Sequence, residues 1–492
     1  MLTLLLRRTP IILIVVLTLI VSPFLFFPWS DIGPHDKQRI VEVLVLSLGA
    51  VLALFRFVQS KVPSMLSRKT IYWLGCFFFL GFLSSLQAYS IRHALYEWSS
   101  FGLLLLLAWT IALELREAPD ALLRKVLLIC GIGCVLYFYK EFFLYILALQ
   151  IDGQPNPEVF IFGFDNLRFF NHIQTISLPL LGLWAVHSAL NQRNESRFTS
   201  QIFPFIATSF WWMMLFVSAG RGTFIGVFAG IIGAWLFQRR LAMPWCRVMI
   251  ITCLAGLCAY AIFFVTLPIL VGLQPFGFLS ELGSRTLSDP TSSRLSLWWR
   301  AWEMILAHPI FGAGPLHFAH YATNVQFGAH PHNWILQIAS EWGVPAVFCL
   351  IVVIVIAFRS LMRTATKIKP GDEKNQAALA AFLATGIAIL VDGLVSGLIV
   401  MPTSQLWIVL YVGCAWGWVS SLSNETKALP PEGSQVLHKA ALALTVLVLL
   451  ICFGCGLWPE ILSLPKYEAK AVDSGVYVRN VLRPRLWKAG YF

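Results

Sequence analysis

The sequence predicts an all-α polytopic membrane protein of about 12–13 transmembrane helices, with one long loop that carries short amphipathic helices. Three observations carry this. Of the 492 residues, 58% are hydrophobic and only 12% charged, and the mean hydropathy is +0.75. Apolar runs of about 20 residues recur along the chain, the length an α-helix needs to cross a bilayer. The 36 Lys and Arg residues also fall unevenly between alternate loops, as topology demands of a multi-pass protein.

The runs lie at roughly 11–28, 40–58, 71–89, 95–114, 123–150, 169–190, 202–220, 222–238, 247–271, 334–358, 377–401, 404–422 and 440–458. The first follows Arg7-Arg8 and resembles a signal peptide. It lacks a small-x-small cleavage site, with Pro23 and Pro28 in that place, so an uncleaved span is expected. Four regions follow: N-terminal transmembrane helices over 1–271, a loop over 272–333, C-terminal transmembrane helices over 334–458, and a basic tail over 459–492. The chain leaves no room for a soluble domain of ordinary size.

With the N-terminus cytoplasmic, cytoplasmic loops hold 21 Lys and Arg and the opposite loops 8. The net charge of +12 is therefore mostly a positive-inside bias, and nucleic acid is set aside. The loops 151–168 and 272–333 face outward. The odd span count places the tail outside too, against the charge bias, so either one span is too many or the basic tail lies outside against anionic head groups, the second being favoured. The ten cysteines fall in or beside apolar runs and read as small buried hydrophobes.

The loop 272–333 holds the polar chemistry. It carries His308, His317, His320, His330 and His332, and Arg285, Arg294 and Arg300. Arg294 follows Asp289-Pro290-Thr291-Ser292-Ser293, a helix-start pattern. It begins an amphipathic helix of about 14 residues whose tryptophans suit the membrane interface. Arg294 and Arg300 read either as anion ligands or as an ordinary polar face.

His330 and His332 flank Pro331 on an extended turn before Asn333. Either could exchange a proton near neutral pH. With His317 and His320 they could also form part of a metal site, or be solvated loop histidines. Few carboxylates and no cysteine lie nearby, which argues against metal.

Arg221, between small residues in Ser218-Ala219-Gly220-Arg221-Gly222-Thr223, could be a snorkelling helix-end anchor or a clamp for phosphate. Arg168, Asn171 and His172 enter the membrane from the same outer side. They could line a cavity with Arg221 and His332, or simply cap a helix. Asp392 is an acid deep in an apolar run, placed to pair with an arginine or to tie helices together. Lys140 and Glu141 are adjacent, point to different faces and are not expected to form a simple pair.

Four motifs in order now carry a resemblance. They are the Gly220-Arg221-Gly222 hairpin, Ser293-Arg294-Leu295-x-Leu297-Trp298, His308-Pro309-Ile310-Phe311-Gly312, and His330-Pro331-His332-Asn333-Trp334 with Glu341-Trp342-Gly343. Over 218–345 the chain resembles the O-antigen ligase and polymerase superfamily, which includes the bacterial O-oligosaccharyltransferases.

The resemblance implies a GT-C-like fold in the bacterial inner membrane with the site facing the periplasm. It implies transfer of a glycan from undecaprenyl diphosphate to an acceptor hydroxyl, without metal or cofactor. The acceptor would be lipid A–core for a ligase, another glycan for a polymerase, or protein Ser or Thr for an oligosaccharyltransferase. His332, Arg221 and Arg294 would be the catalytic residues. His330, Asn333, Arg300, Arg168, His172 and Asp392 are the candidates for binding substrate. Ligases of this family usually end in the cytoplasm, so the external tail leans toward the protein-glycosylating branch. A lipid-linked sugar transporter, using the same arginines, is the rival from another class.

Overall fold

Helices account for every regular element among the residues that the computed structural model describes: 10–24, 32–59, 65–151, 157–190, 201–279, 294–322, 328–423, 432–473 and 484–488. Arg7 and Arg8, the 289–293 helix-start pattern and Arg285 lie outside these residues.

The main helices are α1 (Ile11–Val21), α2 (Pro34–Gln59), α3 (Arg68–Leu86), α4 (Ile91–Glu117), α5 (Pro119–Ile151), α6 (Leu167–Leu190), α7 (Phe203–Ser218), α8 (Arg221–Gln238) and α9 (Met243–Tyr260). Then come α10 (Arg294–Ala307), α11 (Trp334–Trp342), α12 (Val344–Thr364), α13 (Glu373–Asp392), α14 (Pro402–Ser421), α15 (Glu432–Leu457) and α16 (Leu464–Asp473). Helix α9 continues through a wider turn, Ala261–Thr266, to Leu270.

Ten helices among the described residues are long and apolar enough to cross a membrane. Ile11–Phe24 and Phe203–Ser218 are shorter apolar helices, and α14 adds a twenty-residue helix. This is a multi-pass membrane protein. Its exposed side chains include many large apolar ones, such as Leu136, Ile232, Leu254 and Phe348. That is the surface a bilayer requires, because lipid replaces water as the solvent of that face.

Two predicted runs change. The run 334–358 breaks between Trp342 and Gly343. The backbone of 309–314 crosses it there: Ala313 and Gly314 donate N–H to the carbonyls of Ser340 and Glu341 (2.8 and 3.0 Å), and Val344 donates to Pro309 (3.0 Å). These donors cap the end of α11. Gly343 stands at φ +92°, and a Cβ there would meet the Ile310 carbonyl, so only glycine fits. The run 377–401 is helical only to Asp392. The segment 393–401 then folds back, and its first carbonyl, that of Gly393, accepts from Trp334 N–H (2.9 Å).

Helix α8 packs most extensively on α13. Gly222, Gly226 and Gly230 form the contact stripe. A Cβ on Gly226 would lie 2.8 Å from the Ala388 carbonyl, one on Gly230 would meet the Ala384 carbonyl, and one on Gly222 would meet Asp392 Oδ1. In a membrane no hydrophobic drive pushes helices together, so close backbone approach over small residues supplies the packing. It also fixes Arg221, at the first position of α8, beside the end of α13.

The tail departs from expectation. It reaches the same end of the bundle as the loop, where Arg92 at the start of α4 pairs with Glu460. Its 484–488 segment does not lie on head groups. Leu486 and Trp487 are buried, and Arg485 is only 2% exposed.

Candidate functional site

The starts of α6, α8 and α11 and the end of α13 converge at one end of the bundle. Each brings part of the predicted set. On α6, Asn171 donates to Ser218 Oγ (2.6 Å) and to Gln174 Oε1 (3.0 Å). It also packs against Gly220, where no Cβ would fit. The hairpin between α7 and α8 turns at Ala219, whose φ is +50°, and so presents Arg221 half-buried as the first residue of α8.

Asp392 joins three helices. It accepts a hydrogen bond from Thr175 Oγ1 of α6 (2.6 Å) and lies 3.5 Å from Thr223 Oγ1 of α8. Of the two expected roles, tying helices together is visible. The charge of Arg294 also acts on this carboxylate.

His332 sits at the mouth of α11 with φ +52°, a left-handed conformation that costs an ordinary residue about 1–2 kcal/mol. The surroundings hold it there. His332 donates its N–H to His330 Nδ1 (3.3 Å), and the two rings lie 4.0 Å apart. Trp298 of α10 donates to the Pro331 carbonyl (3.0 Å). Asn333 caps α11 by accepting from Ile335 and Leu336 (3.0 and 3.1 Å). A strained residue so over-determined is a mark of function.

Electrostatics show which residues share this space. The His332 pKa is held well below the ordinary histidine value, first by burial and then by the charges of Arg294, Arg168 and His172. His330 is lowered likewise, by burial and then by His332, Arg485, His172 and Arg294. The structure therefore sets His330 and His332 side by side, within the electrostatic reach of Arg294, Arg168 and His172, at the end of the bundle where Arg221 and Asp392 also stand.

Arg300 stands apart. Its Nε donates to the Tyr321 carbonyl (2.7 Å) and its Nη1 to Glu303 (2.9 Å). It lies six residues beyond Arg294, on a face about 120° away around the helix.

The other loop histidines have separate settings. His317 is buried: its Nδ1–H donates to the Pro315 carbonyl (2.8 Å) and its Nε2 accepts from Ser90 N–H (2.9 Å). Both nitrogens are used by a neutral ring, and burial lowers the pKa to about 4. His320 stacks on Tyr89 at 4.1 Å, and His308 is exposed. Among the described residues no group of three His, Cys, Asp or Glu is placed to hold a metal ion.

Lys140 and Glu141 do pair, at 2.7 Å. The flexible lysine stem bends across the angle between neighbouring positions. Lys140 lies at the edge of a groove lined by apolar side chains of α1, the turn after it and α5, with Ile20, Phe24 and Leu136 among them.

Sequence reasoning missed Glu341. It is fully buried in α11 and accepts from Phe318 N–H (2.9 Å), Gln337 and Arg485 (2.7 Å). It stood inside the quoted Glu341-Trp342-Gly343 motif, so its position was visible and its task was not.

The fold and this cluster define a multi-pass helical membrane protein with a cationic, histidine-bearing site at one end of its bundle. Residues 205–351 match the family model described as O-Antigen ligase, in line with the resemblance that the motifs carry. That stretch contains Arg221, Arg294, His330, His332, Asn333 and Glu341. No curated protein matches the chain.

Proposed function

We propose that this protein is a metal-independent glycosyltransferase of the bacterial inner membrane. It takes a glycan from undecaprenyl diphosphate at the periplasmic face and passes it to a hydroxyl of lipid A–core. The observation that carries this reading is the histidine turn: His332 is held at φ +52° before α11 with its ring 4.0 Å from that of His330, at the end of a bundle that also presents Arg221, and the charges of Arg294 and Arg168 reach it.

The chemistry follows from these groups. The acceptor oxygen attacks the anomeric carbon while the bond from that carbon to the diphosphate oxygen breaks. The hydroxyl proton passes to His332, and undecaprenyl diphosphate leaves with the bonding electrons. Negative charge grows on the leaving oxygen, where guanidinium groups are more useful than in the ground state. Before donor binds, burial first and then the charges of Arg294 and Arg168 make His332 a weak base. A bound diphosphate offsets their charge and raises the imidazole pKa, so the donor itself arms the base.

The test uses purified protein in lipid with undecaprenyl-diphosphate-linked glycan. Lipid A–core, a second glycan chain or a Ser/Thr-bearing protein is supplied as acceptor. Transfer to lipid A–core supports the reading. Transfer only to glycan or protein moves the assignment to a polymerase or an oligosaccharyltransferase. Movement of intact donor across the bilayer without cleavage would make it a transporter.

A further inference from the structure

The segment Pro484–Lys488 is bound inside the bundle by charges that the reaction does not use. Arg485 Nη2 lies 2.6 and 2.8 Å from the two oxygens of Glu97 on α4 and 2.7 Å from Glu341 Oε2 on α11. Glu97 is 6% exposed and Glu341 fully buried. Arg39, at the start of α2 and itself buried, donates to the carbonyls of Arg485 (2.8 Å), Leu486 (3.2 Å) and Val400 (2.9 Å). It also pairs with Glu42. Lys488 N–H donates to Asp36 (2.6 Å).

These contacts lead to the catalytic loop. Glu341 Oε1 holds Phe318 N–H, and the Glu341 carbonyl holds Gly314 N–H and Ser84 Oγ. Helix α11, which carries Glu341, starts at Asn333, directly after His332. On the other side, Val400 belongs to the 393–401 return, where Gly397 packs against the His330 ring so closely that a Cβ would not fit. The segment thus grips one support of the histidine turn, α11, directly, and Arg39 ties it to the other, the 393–401 return.

We propose that Arg485 is a positioning residue. By bridging Glu97 and Glu341 it locks α11, and with it the turn that carries His332, so that the site is assembled on a strap formed by residues 484–488. This rests on the assignment of His332 as the base.

The physical reason is charge. Two carboxylates buried together repel one another and cannot both stay ionised without a cation between them. The Arg485 guanidinium supplies that cation, its Nη2 standing between the Glu97 and Glu341 carboxylates.

The experiment is carried out on the full chain. Ala329→Cys places a thiol at a site only 2% exposed, three residues before His332. Its labelling by a small maleimide is followed by peptide mapping, with and without Arg485→Met. Buried Cys130 and Cys414 report on the rest of the bundle. The expected result is labelling at position 329 at least tenfold faster in Arg485→Met, with Cys130 and Cys414 unchanged. Transfer falls at least tenfold in kcat with little change in KM for donor, and Arg485→Lys restores part of both.

Unchanged labelling at 329 would overturn the proposal. So would simultaneous opening of Cys130 and Cys414, since Arg485 would then be a general stability residue. If labelling at 329 rises as expected but His332→Ala still transfers glycan, the strap stands and the assignment of the base fails.

Discussion

Thr175 Oγ1 donates to Asp392 Oδ2 over 2.6 Å, joining α6 to the end of α13 beneath the histidine turn. The same carboxylate packs on Gly222 and feels the charge of Arg294. Asp392→Asn keeps an acceptor for Thr175 and removes the charge. It should preserve the thermal midpoint within a few degrees and lower transfer. Asp392→Leu removes the carboxylate that joins Thr175 of α6 to α13 and should destabilise the bundle by roughly 1–3 kcal/mol. Thermal unfolding in detergent, read beside transfer rates, separates the two.

The α8–α13 contact tolerates no side chain. Gly230→Val and Gly226→Leu should each force the helices apart, with a cost of about 1–3 kcal/mol or more and loss of transfer as Arg221 shifts. Gly75→Ala on α3 is the control, since nothing lies within 4 Å of its Cβ position. Equal melting of the Gly230→Val variant and the parent protein would show that the stripe is not a contact.

His317 makes the fold of the loop sensitive to acid. Its folded pKa, about 4, lies below the unfolded value of about 6.5. The opened state therefore binds a proton that the folded state refuses. The stabilisation is complete above about pH 6.5 and declines as pH falls toward about 4, by up to ~1.4 kcal/mol per pH unit. Hydrogen exchange of residues 309–322 should accelerate over that window, and His317→Gln should flatten the dependence. An unchanged slope in the variant would contradict the assignment.

Arg294 and Arg300 share a helix but should not share an effect. Arg294→Ala is expected to reduce transfer at least a hundredfold, the scale of losing one donor to a developing charge. Arg300→Ala frees only the Tyr321 carbonyl and Glu303, and should cost less than threefold. Initial rates at saturating donor check both. A larger loss with Arg300→Ala would put that residue back in the site.

Much of the scaffold was legible in sequence because lipid makes a simple demand, about 20 apolar residues per crossing. The start of α10 at Arg294 was legible from its periodicity. The break after Trp342 was not, because it depends on the backbone of 309–314 lying across α11. The motifs pointed to Arg221, Arg294 and His332 as candidates, and the outward loop before α6 pointed to Arg168 and His172. They gave no sign that Arg300 turns away. Nor could spacing show that Arg485 meets Glu97 from 388 positions away. A basic tail in sequence looks the same whether it lies on head groups or inside a bundle. Lys140 and Glu141 misled because helical angle alone ignores the reach of a lysine.

The central claim is that His332 takes the acceptor proton. It is tested most directly by single-turnover transfer with purified His332→Ala, alongside donor binding measured on the same preparation. Under this assignment the variant binds undecaprenyl-diphosphate-linked glycan as the parent protein does but transfers it at least a hundredfold more slowly. Transfer at the parental rate with normal donor binding would contradict it.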